Sequence, residues 1–272
     1  TPCDGDHDAK RNRNADTSSL AGLNDNSLST LSTSQVGALT TNQVSNLTIS
    51  QVENLVTVQI RVLSSSQLNA MSTAQWTALK ADQLQALSTT QLSAVIATNL
   101  RALSGDLINT LSTAQVNTLT SGQVASLQNA QVAALTSAQL NKLTSTNLQA
   151  LNSSQVQALT ADQLPALSTS QLINLTTAQV ASLSNAQVGV LTTGQITAMA
   201  ADQIKSLSIT QLSALDAGQV RALEAPDIVA LSVAQIDSLS NEQIAAIPVN
   251  LVPSIAMKNL AYFTESRVHV DS

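Results

Sequence analysis

One regularity limits what this chain can fold into before anything else is considered. From Leu23 onward, every eighth residue is leucine or a close substitute. The series begins Leu31, Leu39, Leu47, Leu55, Leu63, Met71, Leu79, Leu87, Val95, Leu103 and runs on through Leu191, Met199, Leu207 and Leu239 to Ile247, Ile255 and Phe263. No insertion or deletion breaks the register, so residues 23–262 hold 30 octads, typified by Leu-Ser-Thr-Ala-Gln-Val-Asn-Thr from Leu111. With the leucine as position one, position six is Val, Ile or Leu in every octad except where Trp76 stands. Position five is Gln in 23 of the 30, position two is Ser, Thr, Asn or Asp in 22, and position eight is mostly small. Ordinary globular domains have no such period; stacks of like units do.

The octad selects its backbone by elimination. A continuous α-helix advances about 100° per residue, so each octad would leave a remainder of about 80° and the leucines would spiral around the rod. A plain strand fails because the apolar spacings, five and three, are both odd, and a period of two would flip the apolar residues between faces. A short helix restarted in every octad fits each position. Ser or Thr at position two is the N-cap, accepting from the first-turn N–H groups. Gln at position five is then N3 and returns a bond to the N-cap N–H, completing a capping box. Positions one and six become N′ and N4, the two halves of a hydrophobic staple. Helices of six or seven residues follow. They are too short to be stable alone, so neighbours must stack and bury positions one and six in a continuous spine. The expected fold is an all-α repeat solenoid of about thirty short helices. The competing fold is a β-solenoid, since Val, Thr and Ile favour strands, although its bends usually recruit Gly and this chain has only 8.

Departures from the consensus can be read in the same frame. Pro226 falls in the first helical turn, where its missing N–H costs little. Asp82, Asp162 and Asp202 also fall there, at the positive end of the helix dipole, and have a structural reading rather than a catalytic one. Pro165, at position seven, is awkwardly placed in a last turn. Leu107 and Leu251 replace the glutamine and should weaken the box. Three domains follow: a polar tail over residues 1–22, the octad solenoid over 23–247, and degenerate repeats with a C-terminal tail over 248–272. The last keeps Val252, Ile255, Leu260 and Phe263 in register but loses the box, and its prolines and single Tyr–Phe pair suit either a cap or a docking surface.

Chemistry is hard to find in this pattern. The repeat body holds neither His nor Cys, so no Ser–His–Asp, Cys–His or paired-His arrangement can be drawn in it, and no catalytic residue is assigned; an enzyme is not expected. Its six basic residues, Arg61, Lys80, Arg101, Lys142, Lys205 and Arg221, are too sparse to track phosphates, and a net charge of -6 without basic blocks argues against nucleic acid. No run of about 18 apolar residues exists, so no transmembrane helix is expected. The chain opens on Thr1 without a signal peptide, as a processed exported form or a fragment does. Cys3 is the lone cysteine, incidental or available for cross-linking two subunits. In the N-terminal tail, Asp4, Asp6 and Asp8 alternate like the first three ligands of a calcium loop, but Ala9 and Ala15 stand where its Gly and bidentate Glu belong. A solvated charged tail, calcium at Asp4, Asp6 and Asp8, and a transition metal using His7 are the three readings; no other cofactor is indicated. His269 is the only other histidine. The sequons at Asn46, Asn152 and Asn174 are expected by chance in so Ser/Thr-rich a chain.

The unit L-[ST]-x-x-Q-[VLI]-x-A resembles the octapeptide tracts, written L-T-x-x-Q-V-x-A, of large bacterial surface and secreted adhesin-like repeat proteins, over residues 23 to about 247. Its opening is also similar to repeats of transcription-activator-like effectors. Those are several times longer and carry base-reading loops missing here, which rejects DNA recognition. The resemblance implies an extracellular or cell-surface protein. Two functions are expected from it: a structural protein assembling head to tail with itself into a filament, stalk or array, or an adhesin whose Ser/Thr/Asn/Gln surface meets carbohydrate, a cell surface or ice.

Overall fold

The computed structural model describes residues 28–253 and residue 255. It contains 27 short α-helices, from Thr33–Gly37 to Asn241–Ala246, then a 3-10 turn at Val249–Leu251, and no strand among the described residues. The all-α reading holds and the β-solenoid is excluded. The helices are four to six residues long, slightly shorter than the pattern allows. After a six-residue helix the two residues before the next are extended. Leu87 has φ -61°, ψ 132°, and Ser88 after it φ -68°, ψ 159°, which leaves at most positions three to eight for the helix.

The capping box forms as the residue types require. Ser88 Oγ accepts from the Gln91 N–H at 3.1 Å, and Gln91 Oε1 accepts from the Ser88 N–H at 2.7 Å. Thr120 with Gln123 and Ser208 with Gln211 repeat this. Where position two has no oxygen to offer, half of the box survives. The Val56, Lys80 and Ala200 N–H groups still donate to Gln59, Gln83 and Gln203 Oε1 at 3.0, 2.8 and 3.0 Å. Leu107 leaves the opposite half, with only Ser104 Oγ accepting from its N–H at 3.2 Å. Pro165 shortens its helix to Gln163–Ala166, yet the Thr160–Gln163 box before it is intact at 2.8 and 3.2 Å. Pro226 sits in the first turn, as its missing donor demands.

The core is the predicted spine. Position-six side chains such as Val44, Leu92, Val132 and Leu172 are fully buried, and so is Trp76. Position-one leucines such as Leu63, Leu127 and Leu207 are nearly so. Ile244 departs from the pattern at 50% exposure.

Contacts divide the chain into two units, Thr1–Leu143 and Thr144–Ser272. In the first, helices pack on the helix three octads further along, as Thr41–Ser45 on Ser65–Ala70, Thr57–Val62 on Ala81–Ala86, and Gly105–Thr110 on Asn129–Ala134. Gly105 permits the last approach, since a Cβ there would lie 3.0 Å from the Ala134 Cβ. The second unit repeats the rule, with Ala201–Lys205 on Ala225–Ala230 and Ala217–Arg221 on Asn241–Ala246. Hydrogen bonds between coils join residues 25 to 31 apart, so a coil takes between three and four octads.

Two substitutions of opposite sign test the cap. Ser88→Ala removes the hydroxyl acceptor and is expected to cost about 1 kcal/mol, whereas Val56→Ser supplies a missing one and is expected to gain up to about 1 kcal/mol. Urea unfolding of the two variants beside the parent measures both; like signs would contradict the capping account.

Candidate functional site: the glutamine seam and the hydroxyl face

Most consensus glutamines close two helices at once. Gln123 Oε1 accepts from the Thr120 N–H at 2.8 Å, and Gln123 Nε2 donates to the Val95 and Leu92 carbonyls at 2.7 and 2.9 Å. Leu92 lies at the end of the stretch Thr89–Ser93, whose last carbonyls have no partner within their own helix. One carboxamide therefore caps the start of its own helix and the end of a helix one coil earlier. Gln75 does the same to Val44 and Leu47 at 3.0 and 2.7 Å. In the second unit Gln179 reaches Leu148 and Leu151 at 2.8 and 2.7 Å, and Gln219 reaches Val188 and Leu191 at 3.1 and 2.7 Å. These side chains are buried; Gln83 is 1% exposed.

The seam needs an acceptor and a donor on one planar group, which a carboxamide supplies without charge at any pH. Glutamate could serve the capping box, but it offers no proton to the carbonyls and would bury an unpaired charge. The octad spacing displays only the return bond of the glutamine. The second bond leaves one trace in the sequence: Glu, an equally good capping-box residue, occurs at position five in no octad.

A lighter clip lies at position seven. Gln85, Gln149 and Gln157 Nε2 each donate at 2.9 Å to a position-eight carbonyl 25 residues on, those of Thr110, Asn174 and Ser182.

Asp227 is the acidic departure at position five. It is 3% exposed, and its Oδ2 accepts from the Glu224 N–H at 2.8 Å. Burial pushes its carboxyl above the usual carboxylate range, the Glu224 N–H bond opposes this, and the Glu224 carboxylate adds to it. Because the folded state holds this proton more tightly, the stabilisation is present below the ordinary carboxyl range and is lost as pH rises through the raised value.

The outward surface is made by positions two to four and position seven, and Thr73, Thr113 and Thr169 at position three are exposed. The position-two hydroxyls are already engaged as cap acceptors, and those of Ser32 and Thr136 also donate to Gln35 and Gln139 Oε1 at 3.0 and 3.1 Å. Of the sequons, Asn152 is an N-cap, its Oδ1 accepting from the Gln155 N–H at 3.0 Å. Asn46 and Asn174 turn Nδ2 onto the Asn42 and Ser170 carbonyls at 2.7 and 2.6 Å. A surface groove of about 400 Å³ is lined by Glu53, Asn54, Val56, Thr57, Lys80 and Asp82 among others.

Asp4, Asp6 and Asp8, with Cys3, His7 and His269, lie outside the described residues, as do Leu260, Tyr262 and Phe263. Among the described residues no group of three or more His, Cys, Asp or Glu is placed to hold a metal ion, and no helix is long and apolar enough to cross a membrane.

Gln123→Glu is expected to cost about 3 kcal/mol at pH 7, the sum of lost seam bonds and a buried charge, with a smaller penalty near pH 4 as the acid regains a proton to donate. Asp227→Gln is expected to gain about 1–2 kcal/mol at pH 7, less at pH 4. Denaturant unfolding of each variant at both pH values reads these four numbers, and pH-independent differences would contradict the seam account.

Comparison with curated proteins gave no match. The family model of the ALTTAQ repeat matches residues 132–169 and 166–201, where Ala134–Gln139 reads Ala-Leu-Thr-Ser-Ala-Gln. About a quarter of the chain, all of it within the octad register, is thus similar to the ALTTAQ repeat.

Proposed function

We propose that this chain is an extracellular structural protein whose coils join head to tail with those of other copies, forming a filament, stalk or surface array. The observation that carries the reading is the polarity of the seam. One edge of a coil offers glutamine amides and the other offers helix-end carbonyls, at the same separations in both units. An edge that matches the opposite edge of an identical coil makes a heterologous contact, which propagates rather than closes. The chemical economy supports the same reading. The buried glutamines and the capping hydroxyls, the most repeated polar groups of the chain, are spent on holding backbone. The proposal includes no catalytic step and no partner other than the chain itself.

A second reading, an adhesin or binding module for carbohydrate, a cell surface or ice, draws on the exposed position-three threonines and on the groove beside Lys80 and Asp82. A glycan array and an ice-shaping assay test it, and silence in both removes it.

Electron microscopy and sedimentation over a concentration series test the leading reading. Elongated assemblies whose mass grows with concentration are expected. Particles that stay strictly monomeric at the highest concentration would refute self-assembly.

A further inference from the structure

Position five of the octad that opens at Val95 is Asn99 rather than glutamine. Its side chain is 2% exposed, and its Nδ2 is buried with no hydrogen-bond partner. By the register of the seam, a glutamine here would do three jobs. It would accept from the Ile96 N–H, donate to the Leu68 carbonyl 31 residues back, and donate to the Met71 carbonyl 28 residues back, as Gln67 does to Val36 and Leu39.

Two of those jobs have passed to other residues. The Ile96 N–H donates to Asn69 Oδ1 at 2.9 Å, while Asn69 Nδ2 donates to the Ala94 carbonyl at 2.8 Å. Trp76 Nε1 donates to the Leu68 carbonyl at 3.0 Å. The single tryptophan of the chain therefore stands beside the carbonyl that the short amide of the next coil leaves unmet. The third acceptor, the Met71 carbonyl, is in register with the unpartnered Nδ2.

We propose that this seam binds one ordered water, which accepts from Asn99 Nδ2 and donates to the Met71 carbonyl. Asn69, Trp76 and the water together then replace one glutamine. The lengths agree. Glutamine Nε2 reaches position-one carbonyls at 2.7 Å, as from Gln67 and Gln75. Asparagine is shorter by one carbon–carbon bond of about 1.5 Å, so its nitrogen stops roughly 4 Å from the oxygen. A water making two bonds of about 2.8 Å at its natural angle spans such a gap. Buried polar groups in native proteins are paired with protein or with ordered water, and a buried amide nitrogen beside carbonyls is the setting in which internal waters occur.

A crystal structure of the full chain at a resolution that orders solvent is the direct test. The expected map has one water within hydrogen-bond distance of both Asn99 Nδ2 and the Met71 oxygen. A dry seam, or a direct bond between the two, overturns the proposal. In solution, cross-relaxation from a long-lived water to the Asn99 Nδ2 protons is expected. The Asn99→Gln variant, whose longer side chain reaches Met71 itself, is expected to lose that signal at the substituted amide. Equal signals in both proteins, or none in either, would also overturn it. Asn69→Ala is expected to speed hydrogen exchange at the Ile96 N–H about tenfold, the loss of one hydrogen bond. Unchanged exchange there would refute the shared replacement of the glutamine.

Discussion

The planar carboxamide of position five is the constraint on which the rest of this structure depends. Helices of four to six residues have most of their N–H and C=O groups at an end, so end groups dominate their energetics. The octad answers this with one side chain that faces both ways. Its oxygen takes the N–H of its own cap, and its nitrogen takes the carbonyls of a helix one coil back. Remove the donor and the coils lose their specific tie. Remove the acceptor and each helix loses half of its start. A helix this short exists because its two ends are closed by groups from different coils.

Burial and hydrogen bonding reinforce each other through that geometry. The amide can reach the carbonyls 28 and 31 residues back only if coils stack closely, and close stacking is what removes positions one and six from water. Stability in such an array is a sum of weak units and neighbour interfaces, so no octad is stable alone and each is stabilised by those beside it. Departures follow the same logic. Where Lys80 or Ala200 cannot cap, the glutamine bond to their N–H remains. Where Asn99 is too short, Asn69 and Trp76 take over its bonds. Where Asp227 replaces the amide, a buried carboxyl shares its coil with the Glu224 carboxylate and its protonation becomes coupled to folding.

The polar residues of the chain are thus mostly occupied with one another, which bears on function as much as on stability. Hydroxyls that looked available for a periodic ligand at position two are cap acceptors, and some also donate to the glutamine oxygen. What is left facing outward is positions three, four and seven, together with the groove near Lys80 and Asp82. A seam whose two edges are chemically unlike and geometrically matched is better suited to adding another coil than to holding a small molecule.

The octad alone was enough to specify short restarted helices, their Ser/Thr caps, the return bond from glutamine and the buried spine. All of these are local: cap, box and staple are set by spacings of three to five residues, which a sequence displays directly. It did not reveal the amide's second bond, because that bond joins residues 28 to 31 apart, and the separation depends on how many octads make a coil. Nothing in the period states that number. It comes from the angle at which the extended pair, such as Leu87 and Ser88, turns each helix relative to the last. Tertiary packing alone therefore decided which carbonyls the glutamines meet, why Glu is shut out of position five, and why the lone tryptophan sits one coil away from the asparagine that falls short.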